Sequence, residues 1–241
     1  MCSGMRDAVN LAWKLDLVLD GHADPALLDT YTSERSEHVQ HAIGMSMALG
    51  QVICVLDPQD AAARDQRMIA TGADPRTALP PTPPPVLGDG VLQRGPDGTR
   101  AANVGHLTPQ YPVTHQGRTA LLDELTGGGF TVLSDGAAPL DALDASDRAF
   151  LAAIGATLVP LYTDNAPAEG YLDAPDGYLP HLREHGHAAA VVRPDFYLFG
   201  TATDGAGLAE LVSQLREQVQ QPAATPDRTP VPAPLTAVAH S

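Results

Sequence analysis

The chain has 241 residues, 44% of them hydrophobic, which is enough to bury one large core or two small ones. Acidic residues outnumber basic residues 29 to 14, and the net charge of −15 disfavours nucleic-acid and anionic-membrane partners. The only cysteines, Cys2 and Cys54, predict neither a disulfide framework nor a zinc site, and no apolar run approaches the length of a membrane span. Without a signal-peptide pattern, a cytoplasmic location is expected.

The first 72 residues are predicted to be helical. Apolar residues recur every three or four positions over residues 4–20, which is the spacing of one helix face. Asp24 followed by proline is a typical helix start, and this second helix is expected to run to about Val55, either unbroken or with a break near Gly44 or Gly50. A short third helix is predicted over residues 60–71. The apolar face predicted for the first helix comprises Met5, Ala8, Leu11, Ala12, Leu15, Val18 and Leu19.

A Pro- and Gly-rich connector is predicted over residues 73–100, because ALPPTPPPVLGDG cannot continue a helix. After it, strand and helix patterns alternate in the order β-α-β-α-β-β-α, which predicts a small α/β domain of thioredoxin type. The final residues, 223–241, are rich in proline and alanine without a period and are predicted to be disordered. The predicted elements are strand 129–136, helix 144–155, strand 156–162, helix 177–186, two strands within 187–202 and helix 205–219.

Four segments resemble the class A FAD-dependent aromatic monooxygenases. The opening MCSGMRDAVNLAWKL resembles GQGMNSGxRDAxNLAWKL, which in those enzymes follows the last flavin-contacting loop. LLDTYTSERSEHV (27–39) matches their LLDTYxxERxxHA pattern. ALGQVICVLDPQDAAARDQRM (48–68) and VVRPDFYLFGTA (191–202) resemble the branch that hydroxylates 3-(3-hydroxyphenyl)propionate and 3-hydroxycinnamate. The opening matches are Met1, Cys2, Ser3, Gly4, Arg6, Asp7, Ala8, Asn10, Leu11, Trp13, Lys14 and Leu15.

The resemblance implies an α/β fold in which N-terminal helices come from the end of a flavin monooxygenase FAD domain and a thioredoxin-like α/β domain follows. It also implies hydroxylation of a phenolic substrate with FAD as cofactor and NAD(P)H as co-substrate. The phenol, the choice between NADH and NADPH, and homo-oligomer formation are left open. The implied boundaries are 1–72 for the FAD-domain helices, 73–100 for the connector, 101–222 for the thioredoxin-like domain and 223–241 for the tail.

One candidate cofactor contact follows from the resemblance. The backbone of Met1, Cys2, Ser3 and Gly4 is expected to face the flavin ring in an intact enzyme, where a positive helix end stabilises the charge of reduced flavin. No catalytic residue and no metal ligand is assigned. The family's GxGxxG, Asp-Gly and Gly-Asp motifs all lie upstream of the matched part and none is present here, so the chain alone is expected to be inactive.

Other candidate residues are given ordinary roles. Arg6 and Asp7 are assigned structural roles, Trp13 packing, and Lys14 a solvated head group. The histidines are interpreted as solvated rather than metal-binding, because no carboxylate partner pattern accompanies them. The alternative function is a non-enzymatic, thioredoxin-like binding or assembly module. The histidines concerned are His38, His41, His181, His185 and His187.

Overall fold

The computed structural model describes residues 2–70, 72, 86–101 and 103–220. Its N-terminal part is helical, as predicted. Asp24 caps the second helical segment by accepting a hydrogen bond from the Ala26 backbone N–H at 2.8 Å. That segment begins as a 3-10 helix and continues as an α-helix that is unbroken at Gly44 and Gly50, so the change of helix type lies near residue 30 instead. The elements are α1 (Cys2–Leu19), the 3-10 helix (Pro25–Asp29), α2 (Thr30–Ile53) and α3 (Pro58–Ala70).

A mixed seven-stranded sheet, with helices between its strands, dominates the described residues from 112 to 220. Its strand order is β2-β1-β5-β4-β3-β6-β7, in which β3, β4 and β5 are mutually parallel and the other pairs are antiparallel. The strands are β1 (Pro112–His115), β2 (Arg118–Leu121), β3 (Thr131–Asp135), β4 (Thr157–Tyr162), β5 (Tyr171–Asp173), β6 (Ala189–Val192) and β7 (Leu198–Ala202). The helices are α4 (Leu122–Thr126), α5 (Ala138–Asp141), α6 (Ala145–Ala153), α7 (Tyr178–Glu184) and α8 (Gly205–Gln220).

The predicted α/β class is confirmed, and the seven elements predicted after residue 129 are all present in the predicted sequence, with two further short elements among them. The sequence did not predict β1, β2, β5 or the short helices α4 and α5. These strands have only three or four residues each, and β2 has no fully buried position, so no apolar alternation marks them.

Two apolar clusters form the main core, one on each face of the sheet. The first combines Phe130 and Phe199 with the apolar face of α8, and it also includes Trp13, Leu17 and Leu27 from the N-terminal helices. The second lies around Tyr178 of α7 and the buried residues of β4. The N-terminal helices therefore share a core with the sheet.

Part of the predicted connector is packed rather than extended between two units. Leu87, Val91 and Leu92 are at most 1% exposed, and the Gln93 N–H donates to the Phe199 carbonyl at 2.8 Å. Leu87 and Leu92 form a third apolar cluster with Val104 and Tyr197, and Val91 belongs to the first core cluster. The first part of the predicted connector, 73–85, and the predicted disordered tail, 223–241, lie outside the described residues.

Helix α1 buries the side that lacks the predicted apolar stripe. Met5, Ala8, Ala12, Leu15 and Leu19 are exposed, whereas the opposite side of the helix is buried. That buried side comprises Asn10, Trp13, Lys14 and Leu17.

Among the described residues, no single helix is both long and apolar enough to cross a membrane; only the pair Pro25–Ile53 and Pro58–Ala70, bent by 108°, meets that test jointly.

Candidate functional site

Five polar side chains meet where α1, α2 and the β6–β7 turn come together, and we call them the buried charge cluster. Each is at most 5% exposed, although charged residues are rarely buried without partners. The members come from three segments up to 185 residues apart. They are Asn10 and Lys14 of α1, Glu34 of α2, and Arg193 and Asp195 of the turn.

Arg193 lies at the centre of the cluster and uses all five of its N–H donors. It contacts Asp195 through Nε at 3.0 Å and Nη2 at 2.7 Å. It contacts Glu34 through Nη1 at 2.9 Å and Nη2 at 2.6 Å, and Nη1 also donates to the Val91 carbonyl at 2.8 Å. Two bidentate carboxylate pairs therefore fix the plane of one guanidinium.

The Glu34 carboxylate joins the remaining members. Its Oε2 accepts from Asn10 Nδ2 at 2.6 Å and from Lys14 Nζ at 2.9 Å, while Oε1 accepts from the Val91 N–H at 2.9 Å. Asn10 also donates to Asp195 at 2.8 Å and accepts from Lys14 at 3.2 Å. Two positive and two negative charges make the cluster neutral overall, which is the condition for burying charge at tolerable cost.

The cluster shifts the pKa values of Glu34, Lys14 and Arg193. Burial alone would raise the pKa of Glu34, but the adjoining Arg193 and Lys14 charges lower it from 4.5 to about 2. Burial lowers the pKa of Lys14 from 10.5 to about 8, against the opposing attraction of Glu34. Burial would also lower the pKa of Arg193, yet Asp195 and Glu34 raise it above its ordinary value. At neutral pH Glu34, Lys14 and Arg193 are charged, and Lys14 is the one of these three most easily neutralised.

The β6–β7 turn presents both of its charges inward because of its local geometry. The Phe196 N–H closes the turn on the Arg193 carbonyl at 3.0 Å, with Pro194 at the second position, where its fixed φ suits a turn. Phe196 has a φ of 66°, in the left-handed region that bulky residues rarely adopt. This conformation lets the chain return as β7 while Arg193 and Asp195 stay on the buried side.

The backbone at Gly90 approaches the cluster so closely that a side chain would not fit. Gly90 has a φ of 96°, and a Cβ there would overlap the Glu34 side chain. Trp13 covers another side: its ring centroid lies 5.2 Å from Arg193 Cζ and 5.5 Å from Lys14 Nζ. Trp13 also packs edge-on against Phe130 at 5.4 Å, which confirms its predicted packing role.

A second polar chain runs beside the cluster. Arg35 Nε donates to Asp7 at 2.7 Å, and Arg35 Nη1 donates to His38 Nδ1 at 2.6 Å. Because Nδ1 accepts, neutral His38 carries its proton on Nε2 and donates it to the Val86 carbonyl at 2.7 Å. Burial lowers the pKa of His38, which favours this neutral form. The structural role predicted for Asp7 is confirmed. The Arg35–Asp7 contact joins α2 to α1, and the His38–Val86 contact joins α2 to the segment after residue 85.

Of the residues predicted to face a flavin, Cys2, Ser3 and Gly4 precede Asn10, the first member of the cluster, along α1. Met1 is outside the described residues, and Cys2 and Ser3 form the first turn of α1. Gly4 is exposed, and a Cβ at that position would have no neighbouring atom within 4 Å. The backbone at Gly4 is therefore open to approach from the described part of the chain.

Three side-chain predictions are wrong. Lys14 was expected to be solvated, but it is 0% exposed, because Glu34 and Asn10 replace its water. His38 is half-buried and hydrogen-bonded rather than solvated. His187 is also half-buried, whereas His181 and His185 are exposed as predicted. Among the described residues, no group of three or more His, Cys, Asp or Glu side chains could hold a metal ion.

Every member of the cluster lies in a segment that resembles the family, but the resemblance does not predict that these residues meet. One signal was available. Lys14 is the only lysine of the chain and lies in an apolar helical run, and Arg193 and Asp195 lie between two apolar strands. Charges enclosed by apolar sequence suggest a buried partner.

Comparison with known proteins adds two matched families. The FAD binding domain family matches residues 1–46, and the HcaD C-terminal domain family matches residues 105–218. A probable NADH-specific resorcinol 4-hydroxylase of Rhodococcus jostii (strain RHA1) is 39% identical over 237 residues, covering 96% of this chain and 41% of the relative. The chain belongs to the class A flavin monooxygenases. It corresponds to their C-terminal portion, as the resemblance had implied.

Two further comparisons agree. A 3-(3-hydroxy-phenyl)propionate/3-hydroxycinnamic acid hydroxylase of Klebsiella pneumoniae (strain 342) is 34% identical over 236 residues, covering 88% of this chain and 42% of the relative. The structure of the flavin-dependent monooxygenase PieE in complex with FAD and substrate superposes with a TM-score of 0.57 at 23% identity, covering 88% of this chain and 43% of that one. The chain therefore shares the fold of the matching part of that structure and spans about two fifths of the length of the curated relatives.

Proposed function

We propose that this chain forms the C-terminal portion of an FAD-dependent, NAD(P)H-using monooxygenase that hydroxylates a phenolic substrate of the phenylpropionate or resorcinol type. The observation that carries the proposal is the buried charge cluster. Asn10, Lys14, Glu34, Arg193 and Asp195 all belong to segments that resemble the hydroxylases, and they meet in one place. Segments that resemble one family and bind each other are expected to serve one architecture.

In this proposal the start of α1 faces the flavin. The first backbone N–H groups of a helix have no intrahelical partners and carry partial positive charge. The open surroundings of Gly4 fit the close approach of a flat ring to that backbone. FAD, when bound, supplies the oxygen-activating chemistry; the backbone of Met1, Cys2, Ser3 and Gly4 would stabilise negative charge on the ring.

We further propose that the C-terminal domain is thioredoxin-like and serves packing rather than redox chemistry. Strands β4, β3, β6 and β7 are adjacent in that order, with β3 and β4 parallel and β6 and β7 antiparallel, followed by α8. This is the βαβ and ββα arrangement that the sequence predicts. Both cysteines, Cys2 and Cys54, precede residue 101, so the domain has no thiol pair to cycle.

Titration of the chain with FAD tests whether this portion binds the cofactor without the nucleotide-binding motif. A helix N-terminus stabilises an exposed anion by about 0.3–1 kcal/mol. Micromolar affinity needs about 8 kcal/mol, and the chain contains no GxGxxG strand-turn-helix. We therefore expect a Kd weaker than micromolar by calorimetry and flavin fluorescence. Binding at or below one micromolar would show that α1 and its neighbours hold FAD without the missing motifs.

A chimera tests the enzymatic role. The part of the R. jostii relative that precedes its matched region is joined to this chain, and the unaltered relative is the control. We expect the chimera to copurify with FAD and to oxidise NADH faster when resorcinol or 3-(3-hydroxyphenyl)propionate is present, with formation of hydroxylated product. A folded chimera that retains no FAD would contradict the proposal and would favour a non-enzymatic binding or assembly module.

A further inference from the structure

Three consecutive hydrogen bonds join α1, α2 and the segment 86–88 beside the buried charge cluster. The Asp7 carboxylate of α1 accepts from Arg35 Nε at 2.7 Å, and Arg35 Nη1 donates to His38 Nδ1 at 2.6 Å. The His38 ring then donates through Nε2 to the Val86 carbonyl at 2.7 Å. A histidine changes its charge near neutral pH, so His38 is the member of this series that a small change of pH can alter.

The position of the His38 imidazole requires the neutral ring. Its Nδ1 accepts from a guanidinium, which has only donors, so Nδ1 cannot carry a proton while Arg35 Nη1 lies 2.6 Å away. A second proton on the ring would set two N–H groups and two positive charges against each other. One of the two side chains must then move.

The His38 ring is held less firmly than its neighbour Arg35. The Arg35 side chain is only 4% exposed and stays bound to Asp7 through Nε. The ring is half-buried, and its other hydrogen bond is to the single carbonyl of Val86. Tyr197 lies beside it, with 6.1 Å between ring centroids, but burial raises the pKa of Tyr197, so its hydroxyl supplies no negative charge at acidic pH. We therefore expect the protonated ring to move and the guanidinium to stay.

The groups around His38 favour its neutral form on balance. Burial lowers the pKa of His38 from its ordinary value of 6.5, and the charges of Arg35 and Arg6 lower it further. The Val86 hydrogen bond and the Glu37 charge act in the opposite direction without offsetting these effects. The titratable and charged groups on the elements packed against the ring are Arg6 and Asp7 of α1, Arg35 and Glu37 of α2, and Tyr197 of β7.

The segment 86–88 is itself fixed to the sheet domain. The Leu87 N–H donates to the Gly105 carbonyl at 2.8 Å, and the Leu87 side chain is buried in the third apolar cluster. The hydrogen bond from His38 to Val86 therefore ties α2 to the sheet domain. Its loss would separate α2 from the segment without unfolding the segment.

We propose that His38 is an acid-sensitive latch: the neutral ring holds α2 to Val86, and the protonated ring releases Val86 while the buried charge cluster stays closed. Because the folded-state pKa of His38 is lowered, the latch contributes its full stability above about pH 6.5 and loses it as the pH falls through that lowered value. The pKa of Glu34 is about 2, so the cluster keeps its charges in mild acid. The inference does not rest on the proposed function, since it involves no flavin contact.

Nuclear magnetic resonance of the full chain tests the latch. The imidazole resonances of His38 and the carbonyl ¹³C resonance of Val86 are followed from pH 8 to pH 5. We expect both to change with one common midpoint below pH 6.5, while the Nε–H resonance of Arg35 stays in place. A Val86 resonance that stays constant as the ring is protonated, a shift of the Arg35 resonance instead, or a ring still neutral at pH 5 would overturn the proposal.

Variants assign the cause of the release. His38→Gln keeps a donor toward Val86 but cannot be protonated, so the Val86 resonance should stay constant, and the pH dependence of unfolding below pH 6.5 should lose up to one proton. His41→Gln is the matched control, because His41 is exposed on the same helix, and it should change neither result.

Arg35→Gln removes the repelling cation, so acid should protonate His38 without releasing Val86. Release in this variant at the same pH as in the unaltered chain would contradict the proposed cause. The titration of the unaltered chain decides the proposal if a variant fails to fold.

Discussion

The N-terminal helices and the sheet domain bury their apolar residues to very different extents. Among the described residues, twelve of the exposed large apolar side chains lie within residues 5–69 and three lie within 107–196. Met5 is 58% exposed and Ile69 is 78% exposed, whereas all residues of β6 and the central residues of β4 are buried. The helices contact the sheet domain through Trp13, Leu17 and Leu27 of the first apolar cluster and through the buried charge cluster.

This difference suggests that the two regions depend on packing of different kinds. The sheet domain is stabilised by apolar cores on both of its faces. The helices α1 and α2 expose apolar surface that fits a further partner, such as the upstream part of the proposed enzyme. The buried charge cluster fixes these helices to the sheet domain in one orientation. Hydrogen-bonded ion pairs have a defined geometry, whereas apolar contacts permit many arrangements.

The largest expected effect is at the centre of the cluster. Arg193→Met should lower the free energy of unfolding by about 3–5 kcal/mol, because it leaves Glu34 and Asp195 buried with one positive charge between them. Urea unfolding followed by circular dichroism measures this loss. Arg183→Met is the matched control, since Arg183 pairs with Asp135 at the surface, with side chains 49% and 32% exposed, and should cost at most about 1 kcal/mol.

A double variant sharpens the same comparison. Arg193→Met with Asp195→Asn leaves Lys14 and Glu34 as a neutral pair, so it should be less destabilised than Arg193→Met alone. A double variant that is worse by the full cost of both changes would show that the charges act independently and that the cluster is not a unit.

The close approach of Gly90 gives a second large effect. Gly90→Ala should destabilise the chain by about 3 kcal/mol or more, because the new methyl group displaces the Glu34 carboxylate from its partners. Gly98→Ala is the matched control, since Gly98 has a φ of 76° and an added Cβ would meet nothing within 4 Å. It should lower the free energy of unfolding by only about 1–2 kcal/mol, the cost of an alanine in the left-handed region. Equal losses in thermal unfolding would mean that the Glu34 contact contributes nothing.

Acid should weaken the link between the two regions through Glu34. The folded-state pKa of Glu34 is lowered from 4.5 to about 2, so its stabilising contribution is present above pH 4.5 and is lost as pH falls through about 2. Glu34→Gln should remove up to one proton from the pH dependence of unfolding over that window. Urea unfolding at several pH values measures the slope, and Glu210→Gln, on the exposed side of α8, should leave it unchanged.

The smallest effect concerns the exposed helices. Met5 and Val9 are one helical turn apart and 58% and 41% exposed, so the chain should self-associate through this face. In sedimentation velocity, Met5→Gln with Val9→Gln should shift the distribution toward monomer, and Leu121→Gln on β2 should not. A stable monomer of the unaltered chain at high concentration would remove the reason for expecting an apolar partner.

The sequence predicted the sheet domain more completely than the cluster. Strands β3, β4, β6 and β7 and helix α8 follow regular apolar periods, which depend on neighbours in sequence. The meeting of Asn10 with Asp195, 185 residues away, depends on tertiary packing that no local period encodes. Lys14 was assigned to solvent because a lone lysine on a helix is usually exposed; only the position of Glu34 in space reverses that assignment.

Helix α1 also has a mechanical consequence in the proposed enzyme. Asn10 is held by the cluster, and the helix begins eight residues earlier at Cys2, so the held point and the helix start are separated by about 12 Å along a stiff rod. A hydrogen-bonded helix of this length resists bending. A rotation of α1 about Asn10 therefore displaces the backbone at Cys2 by an amount that grows with the angle of rotation. The sheet domain, through Arg193, would then set where the first amides of α1 stand without contributing a single atom beside the flavin.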